Sequence, residues 1–358
     1  MKPSILLTAP LLLTLLAAAQ SKQDSTTSKI NLSSLPKSNI SLYPPAKTDS
    51  AFYLFNHFEV IDERPDKARI GVRTDKSSSM FYSGRDRQIV LDNPAATGIA
   101  GYFNQNFTRP EAPCTALVIL RSLWVSDAIY IPRDMTRDGD KKFELGHIHL
   151  KAEVYASKDS LYTPVFRYDT LMVETRSNYY ASTGSFYSKL GKDLSDLLIN
   201  LADSASWVAR NKQGNSHQIT RQQINDFNQT RFTSSFDNTT AYTRGVYMNF
   251  EEFRNNAPSI LDFEIRTENE DQQMLYIKDA SGTPYYSRKA WGYCDGKSIF
   301  IMRDGFLCPA WKEGSAFYFY SVFEQLHVVE GGAVGPTYEV KEKVHNIYAL
   351  DMDTGNAY

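Results

Sequence analysis

His147 and His149 are the sharpest metal-type pair in the sequence. Two residues apart on a strand, they would project from one face. Zinc would need one or two further ligands beside them. Glu144 and Glu153 are the nearest acids, and spacing alone assigns neither. A polar sheet face is the expected role, and no metal and no cofactor is expected. For nucleophilic catalysis, neither a Gly-x-Ser-x-Gly elbow nor a cysteine-protease signature occurs. The acids Glu251, Glu252, Glu264, Glu268, Glu270 and Asp271 could imitate a glycosidase pair. Such a pair is defined by a separation of about 5–9.5 Å across a cleft, and in sequence these read as solvated loop and helix-start charges. Phosphate-loop and dinucleotide fingerprints are missing as well. No catalytic residue is expected.

The candidate ligand-binding residues are aromatic: Trp291, Tyr293, Trp311, Tyr318 and Tyr320, on neighbouring strands. Exposed rings would stack on a sugar or a peptide, whereas buried ones would pack the sheet. Asp62, Arg64 and Asp66 form a charged corner, in which Arg64 is expected to pair with a carboxylate while Pro65 stops the strand. The cysteines are Cys114, Cys294 and Cys308. Reading Asp295-Gly296 and Asp304-Gly305 as two-residue hairpin turns sets Cys294 opposite Lys297 and Cys308 opposite Ile301. That keeps the two sulfurs too far apart to bond, and reduced thiols are expected.

Apolar periodicity supplies the elements that must position these groups. Strands are expected at Ala51–Ile61, Arg69–Thr74 and Gln88–Leu91. A helix should start at Asn93 as N-cap with Pro94 at its first position, and run to about Phe107. Thr115–Val125 is nearly continuous in branched apolar residues and should be a central strand. Gly146–Ala156 alternates, and Leu161–Glu174 extends the series. Ser185–Arg210 places Leu190, Leu194, Leu197, Leu198, Leu201, Ala205 and Val208 on one helical face. Residues 213–243 read as a polar linker with a short helix at Arg221–Asn228. After it, Asn249 and Glu252 read as a capping box. The strands Leu261–Thr267, Gln273–Lys278, Tyr285–Cys294, Lys297–Arg303, Phe306–Lys312, Ala316–Val329 and Thr337–Leu350 suggest an antiparallel meander, broken at 331–336.

At the N-terminus, Lys2 precedes an apolar run from Ile5 to Ala19 that ends in Ala17-Ala18-Ala19-Gln20-Ser21. This is the pattern of a secretory signal, and the run is shorter than the about 20 residues a spanning helix needs. The expected organisation is a signal peptide at 1–20, a flexible tether at 21–50, an α+β domain at 51–212, the linker, and an antiparallel β-rich domain at 244–358. The net charge of −2 over 358 residues argues against a nucleic-acid partner, which calls for clustered Lys and Arg. No later segment is long and apolar enough to make an integral membrane protein.

The corner Asp62-x-Arg64-Pro65-Asp66 followed by Ile70-Gly71 resembles the envelope-lipoprotein domains related to auxiliary subunits of transport systems, themselves similar to the N-terminal domain of TolB. The likeness spans residues 51–210, and the lipid-bearing cysteine of those domains has no counterpart here. Gly245–Phe253, Asn255–Ser259 and Trp291–Gly296 resemble a family of uncharacterised secreted proteins of the Bacteroidota. These resemblances imply a Gram-negative envelope location, periplasmic or extracellular. The expected function is a non-enzymatic binding or accessory module whose partner is an envelope protein or a glycan. The alternative is an extracytoplasmic hydrolase acting on a polymer.

Overall fold

The computed structural model describes residues 30–46, 53–73, 86–130, 143–176, 183–211, 217–232, 234–235, 239, 241–268, 272–303, 305–329 and 338–358. The signal peptide expected at 1–20 and the break at 331–336 lie outside the described residues. Leu32–Tyr358 make one unit with an α+β architecture. A mixed sheet with helices comes first, and a separate, mostly antiparallel β region follows.

The branched run at the middle of the first region becomes the centre of its sheet. Strand β5 (Cys114–Tyr130) has two parallel partners on one edge: β2 (Phe55–Asp62) over its first half and β3 (Gly71–Arg73) at Val125–Ser126. On its other edge β6 (Phe143–Lys158) runs antiparallel, and β7 (Leu161–Arg176) follows. Beyond β3 lie β4 (Arg87–Leu91) and β1 (Lys37–Ile40). A Cβ on Gly71 would lie 1.8 Å from the Val125 carbonyl oxygen, so only glycine fits that crossing. Val118, Leu120, Leu123 and Val125 of β5, with Ile148, Leu150, Ala152 and Val154 of β6, pack against helices α1 (Ala95–Asn106) and α2 (Thr183–Asn211). Burying each large aliphatic side chain contributes about 1.5–3 kcal/mol.

Helix α3 (Arg221–Phe232) anchors on the opposite face, where its Ile224 is buried among Leu117, Ile119 and Tyr155. In the second region β8 (Gly245–Tyr247) and α4 (Phe250–Arg254) are followed by β9 (Phe263–Glu268), β10 (Gln272–Lys278) and β11 (Pro284–Tyr286), which form a small sheet. β12 (Gly292–Cys294), β13 (Ile299–Arg303), β14 (Phe306–Glu313), β15 (Ala316–Val329) and β16 (Tyr338–Leu350) join β8 in the order β16-β15-β14-β13-β12-β8. No helix among the described residues is long and apolar enough to cross a membrane.

Several expectations shift. Residues 21–50 read as a tether, yet Leu32–Ser34 form a 3-10 turn and Lys37–Ile40 pair with β4; buried Leu32 and Ile40 hold them down. Pro94, not Asn93, is the N-cap of α1, with no side-chain cap. Tyr285–Cys294 is two short strands in different sheets. The first hairpin pairs Cys294 with Ile299 instead of Lys297, because the Asp295 carboxylate accepts the Lys297 and Ser298 amides, both at 2.7 Å, and widens the loop. Cys308 does pair with Ile301, and none of the three cysteines is in a disulfide. Asn249 caps α4 through the Glu252 amide at 2.9 Å, as the capping box predicts.

Candidate functional site

The odd-numbered side chains of β6 point away from α1 and α2. His147, His149, Lys151, Glu153 and Tyr155 make a polar column down the outer face of the sheet. Its neighbours stand in register as Trp124–His149–Leu171, Ser122–Lys151–Asp169 and Ile119–Glu153–Arg167. Charges placed beneath other elements need partners, and this column has them.

A bulge supplies two of those partners from one strand. The register of β5 slips between Leu120 and Ser122, which breaks the alternation and turns both Arg121 and Ser122 to the polar side. Arg121 reaches Glu153 at 3.1 Å, and Ser122 lies 3.0 Å from His149 Nδ1. Glu153 is buried and also meets Arg167 at 2.9 Å and Arg231 of α3 at 3.5 Å. The Tyr155 hydroxyl donates to it at 3.4 Å. Burial, and then the Glu153 charge, push the Tyr155 pKa up to about 12.

Lys151 Nζ lies 2.6 Å from Asp353 and 3.2 Å from Asp351, both in the turn after β16, and 4.0 Å from Asp169. Burial works against the lysine charge, but the bond to Asp353 and the charges of Asp351 and Asp353 outweigh it. Its pKa is held above the ordinary lysine value. That turn is braced by the Asp351 carboxylate, which accepts the Asp353 amide at 2.9 Å and the Thr354 hydroxyl at 3.0 Å.

His149 is fully buried, with the ring of Tyr358 stacked on it at 3.8 Å. Its Nε2 lies 2.9 Å from Asp169. Burial lowers its pKa below the ordinary 6.5, although the Asp169 bond pulls the other way. The neutral ring places its proton on Nε2, because the carboxylate accepts, and Nδ1 then accepts from the Ser122 hydroxyl.

Beside this network opens a cleft of about 920 Å³, within the about 300–1,000 Å³ range of small-molecule sites. α3 lines one wall with Asn225, Asn228 and Gln229, which share a face at i, i+3 and i+4. Arg121, Lys151, Asp351 and Asp353 line another. Asn228 is only 8% exposed, and its Oδ1 has no hydrogen-bond partner among the described residues. The Phe232 ring also borders the cleft, covered by the Arg121 guanidinium at 4.4 Å and that of Arg231 at 4.8 Å.

None of the five aromatic residues singled out from sequence lines this cleft. The five aromatics do not form one strip. Trp291 is half-buried and packs on Phe253 at 4.4 Å; Tyr293 is buried and stacks on Phe300 at 4.8 Å. Trp311, Tyr318 and Tyr320 do group together, with Trp124 against Tyr318 at 5.4 Å. Tyr318 is fully buried and gives its hydroxyl to Asp66 at 2.5 Å. Both ring nitrogens of His149 are engaged, and His147 sits in register with Ser126 and Val173. No group of three or more potential metal ligands occurs among the described residues.

The charged corner is a brace. Arg64 grips Asp62 with two bonds of 2.8 Å and donates to the Arg69 carbonyl at 2.9 Å. Asp66 pairs with Arg69 at 2.9 Å, and Arg69 reaches Glu313 of β14 at 2.8 Å, tying the two regions together. Sequence reasoning gave no role to Arg121, Lys151, the α3 amides or the Asp351–Asp353 turn. The Lys151–Glu153 alternation and the 225, 228, 229 spacing were the available signals.

No protein-family profile matches the chain, and no curated protein does. Among solved structures it is similar to protein XCC0632 from Xanthomonas campestris, described as DUF330, with 10% identity and a TM-score of 0.31. The match covers 49% of this chain and 98% of that one. A second structure, described only as an uncharacterized protein, matches 46% of this chain and 97% of its own at 10% identity, with a TM-score of 0.21.

Proposed function

We propose that the protein is an exported, non-enzymatic binding or accessory module of the cell envelope, and that its ligand occupies the cleft between α3 and the outer face of β5 and β6. The observation that carries this reading is the cleft of about 920 Å³ itself, walled on the α3 side by the carboxamides of Asn225, Asn228 and Gln229. The signal-like N-terminus and the resemblance to envelope proteins support the compartment. Native mass spectrometry of protein purified from its own cells tests the reading. A stoichiometric adduct, lost in an Asn225→Ala/Gln229→Ala variant, is expected. Unliganded protein under gentle ionisation, with the variant indistinguishable, counts against it.

A hydrolase is the second reading, favoured by the hydrogen-bonded row Ser122–His149–Asp169. Ser122 borders a small cavity of about 60 Å³ that shares Arg121 and Asp351 with the main cleft. The Tyr358 ring lying on His149 weighs against it, since a working base must meet the leaving group. A fluorophosphonate probe decides: labelling that disappears in Ser122→Ala would establish the hydrolase.

A further inference from the structure

We infer that the cleft ligand is an uncharged, hydroxyl-rich molecule, of which a short neutral oligosaccharide is the fitting class. This rests on the cleft being a ligand site, and adds the chemistry of the occupant. The charged groups on the inner walls of the cleft already hold partners. Arg121 pairs with buried Glu153, and Lys151 with Asp351 and Asp353. Arg231 lies between Glu153 and Asp353, at 3.5 and 3.7 Å. An anionic ligand would have to take Lys151 from two carboxylates held within 3.2 Å, and a cationic one would face the reverse exchange. Either swap trades a formed, partly buried pair for another, with desolvation of the newcomer added. At the mouth, exposed Glu63 and Lys67 carry opposite signs and select neither.

The α3 wall offers a different grammar. Asn225, Asn228 and Gln229 are carboxamides, each able to donate and accept at one position. A sugar hydroxyl also does both, so an amide facing a vicinal diol satisfies donor and acceptor together. Asn228 supplies the fixed, buried end of that wall, and exposed Asn225 and Gln229 the adaptable end. Stacking is not the recognition mode, because two guanidinium groups already cover the Phe232 ring. Recognition therefore runs through hydrogen bonds, with the partly exposed Met352 and Ile61 offering apolar surface to the sugar C–H faces.

Isothermal titration of the full mature chain against neutral hexasaccharides (malto-, cello- and chito-series) and charged ones (oligogalacturonate, chitosan oligomer) tests this. A neutral sugar should bind, and the Asn225→Ala/Gln229→Ala variant, altered only at exposed positions, should bind it about tenfold more weakly, the equivalent of one or two hydrogen bonds. Binding of a charged sugar alone, weakened by the same variant, would overturn the neutral class while leaving the cleft as the site. No binding by any neutral member, or neutral binding untouched by the variant, overturns the inference, and the native adduct then judges the cleft itself.

Discussion

Arg121 and Ser122 are adjacent in sequence and yet share one face of the sheet, the first 3.1 Å from Glu153 and the second 3.0 Å from His149. The extra residue in β5 makes this possible. It lets one strand serve two positions of the polar column on β6, and it sets the floor of the cleft.

Glu153 is the hub of that floor, so its removal should be costly. In Glu153→Leu the Arg121 guanidinium stays buried without its counter-ion. Breaking such a pair costs about 3–5 kcal/mol, and a urea midpoint should fall accordingly. The double variant Arg121→Met/Glu153→Leu should recover much of the loss, because neither charge is then stranded. A double variant as unstable as the single one would mean that Glu153 acts through Arg167 and Arg231 instead.

His149 should make stability depend on mild acid. Its folded pKa lies below 6.5, so between that value and 6.5 the unfolded chain holds more protons than the folded one. Its contribution is present above 6.5 and is lost as pH falls through the folded value. Asp169, Asp351 and Lys151 face the ring and set how far down that value lies. Urea midpoints measured from neutral to mildly acidic pH should fall for the wild type and change less for His149→Gln. Lys151 works at the other end. Its folded pKa is raised above 10.5, so its contribution is complete below 10.5 and fades as pH rises through the folded value.

Gly355 holds the acidic turn in place at φ +78°, where an added Cβ would lie 2.5 Å from the Phe250 ring. Gly355→Ala should cost about 1–3 kcal/mol of backbone strain and loosen the Asp351 and Asp353 contacts to Lys151. A thermal melt checks the first effect. The second predicts faster amide exchange in α3, since Arg231 shares Asp353 with Lys151.

The thiols give a simpler check. Cys294 and Cys308 lie on strands either side of β13, opposite Ile299 and Ile301, and Cys114 is on β5. Titration of denatured, unreduced protein should find three thiols; a single thiol would contradict the fold.

Much of the architecture was legible where apolar periodicity was long. The 190–205 leucine face and the Thr115–Val125 run dictated α2 and β5 by burial alone. Some short elements were not. Lys37–Ile40 alternates over too few residues to stand out from its polar surroundings, and Tyr285–Cys294 hides a change of sheet. The site was less legible. The alternation of β6 announced a polar face, but the identity of its partners depends on a bulge and on a turn some 200 positions away, as in Lys151 to Asp353. The aromatic residues drew attention by type, and burial then assigned Tyr293 and Tyr318 to packing.

The central claim, that the α3 cleft holds the ligand, is tested most directly by a photo-crosslinking residue at Gln229, with Trp207 on α2, 69% exposed, as the control position. Irradiated in an envelope extract of its own cells, the Gln229 probe should give one dominant adduct and the Trp207 probe none. Equal labelling at both positions, or an adduct only at Trp207, would contradict it.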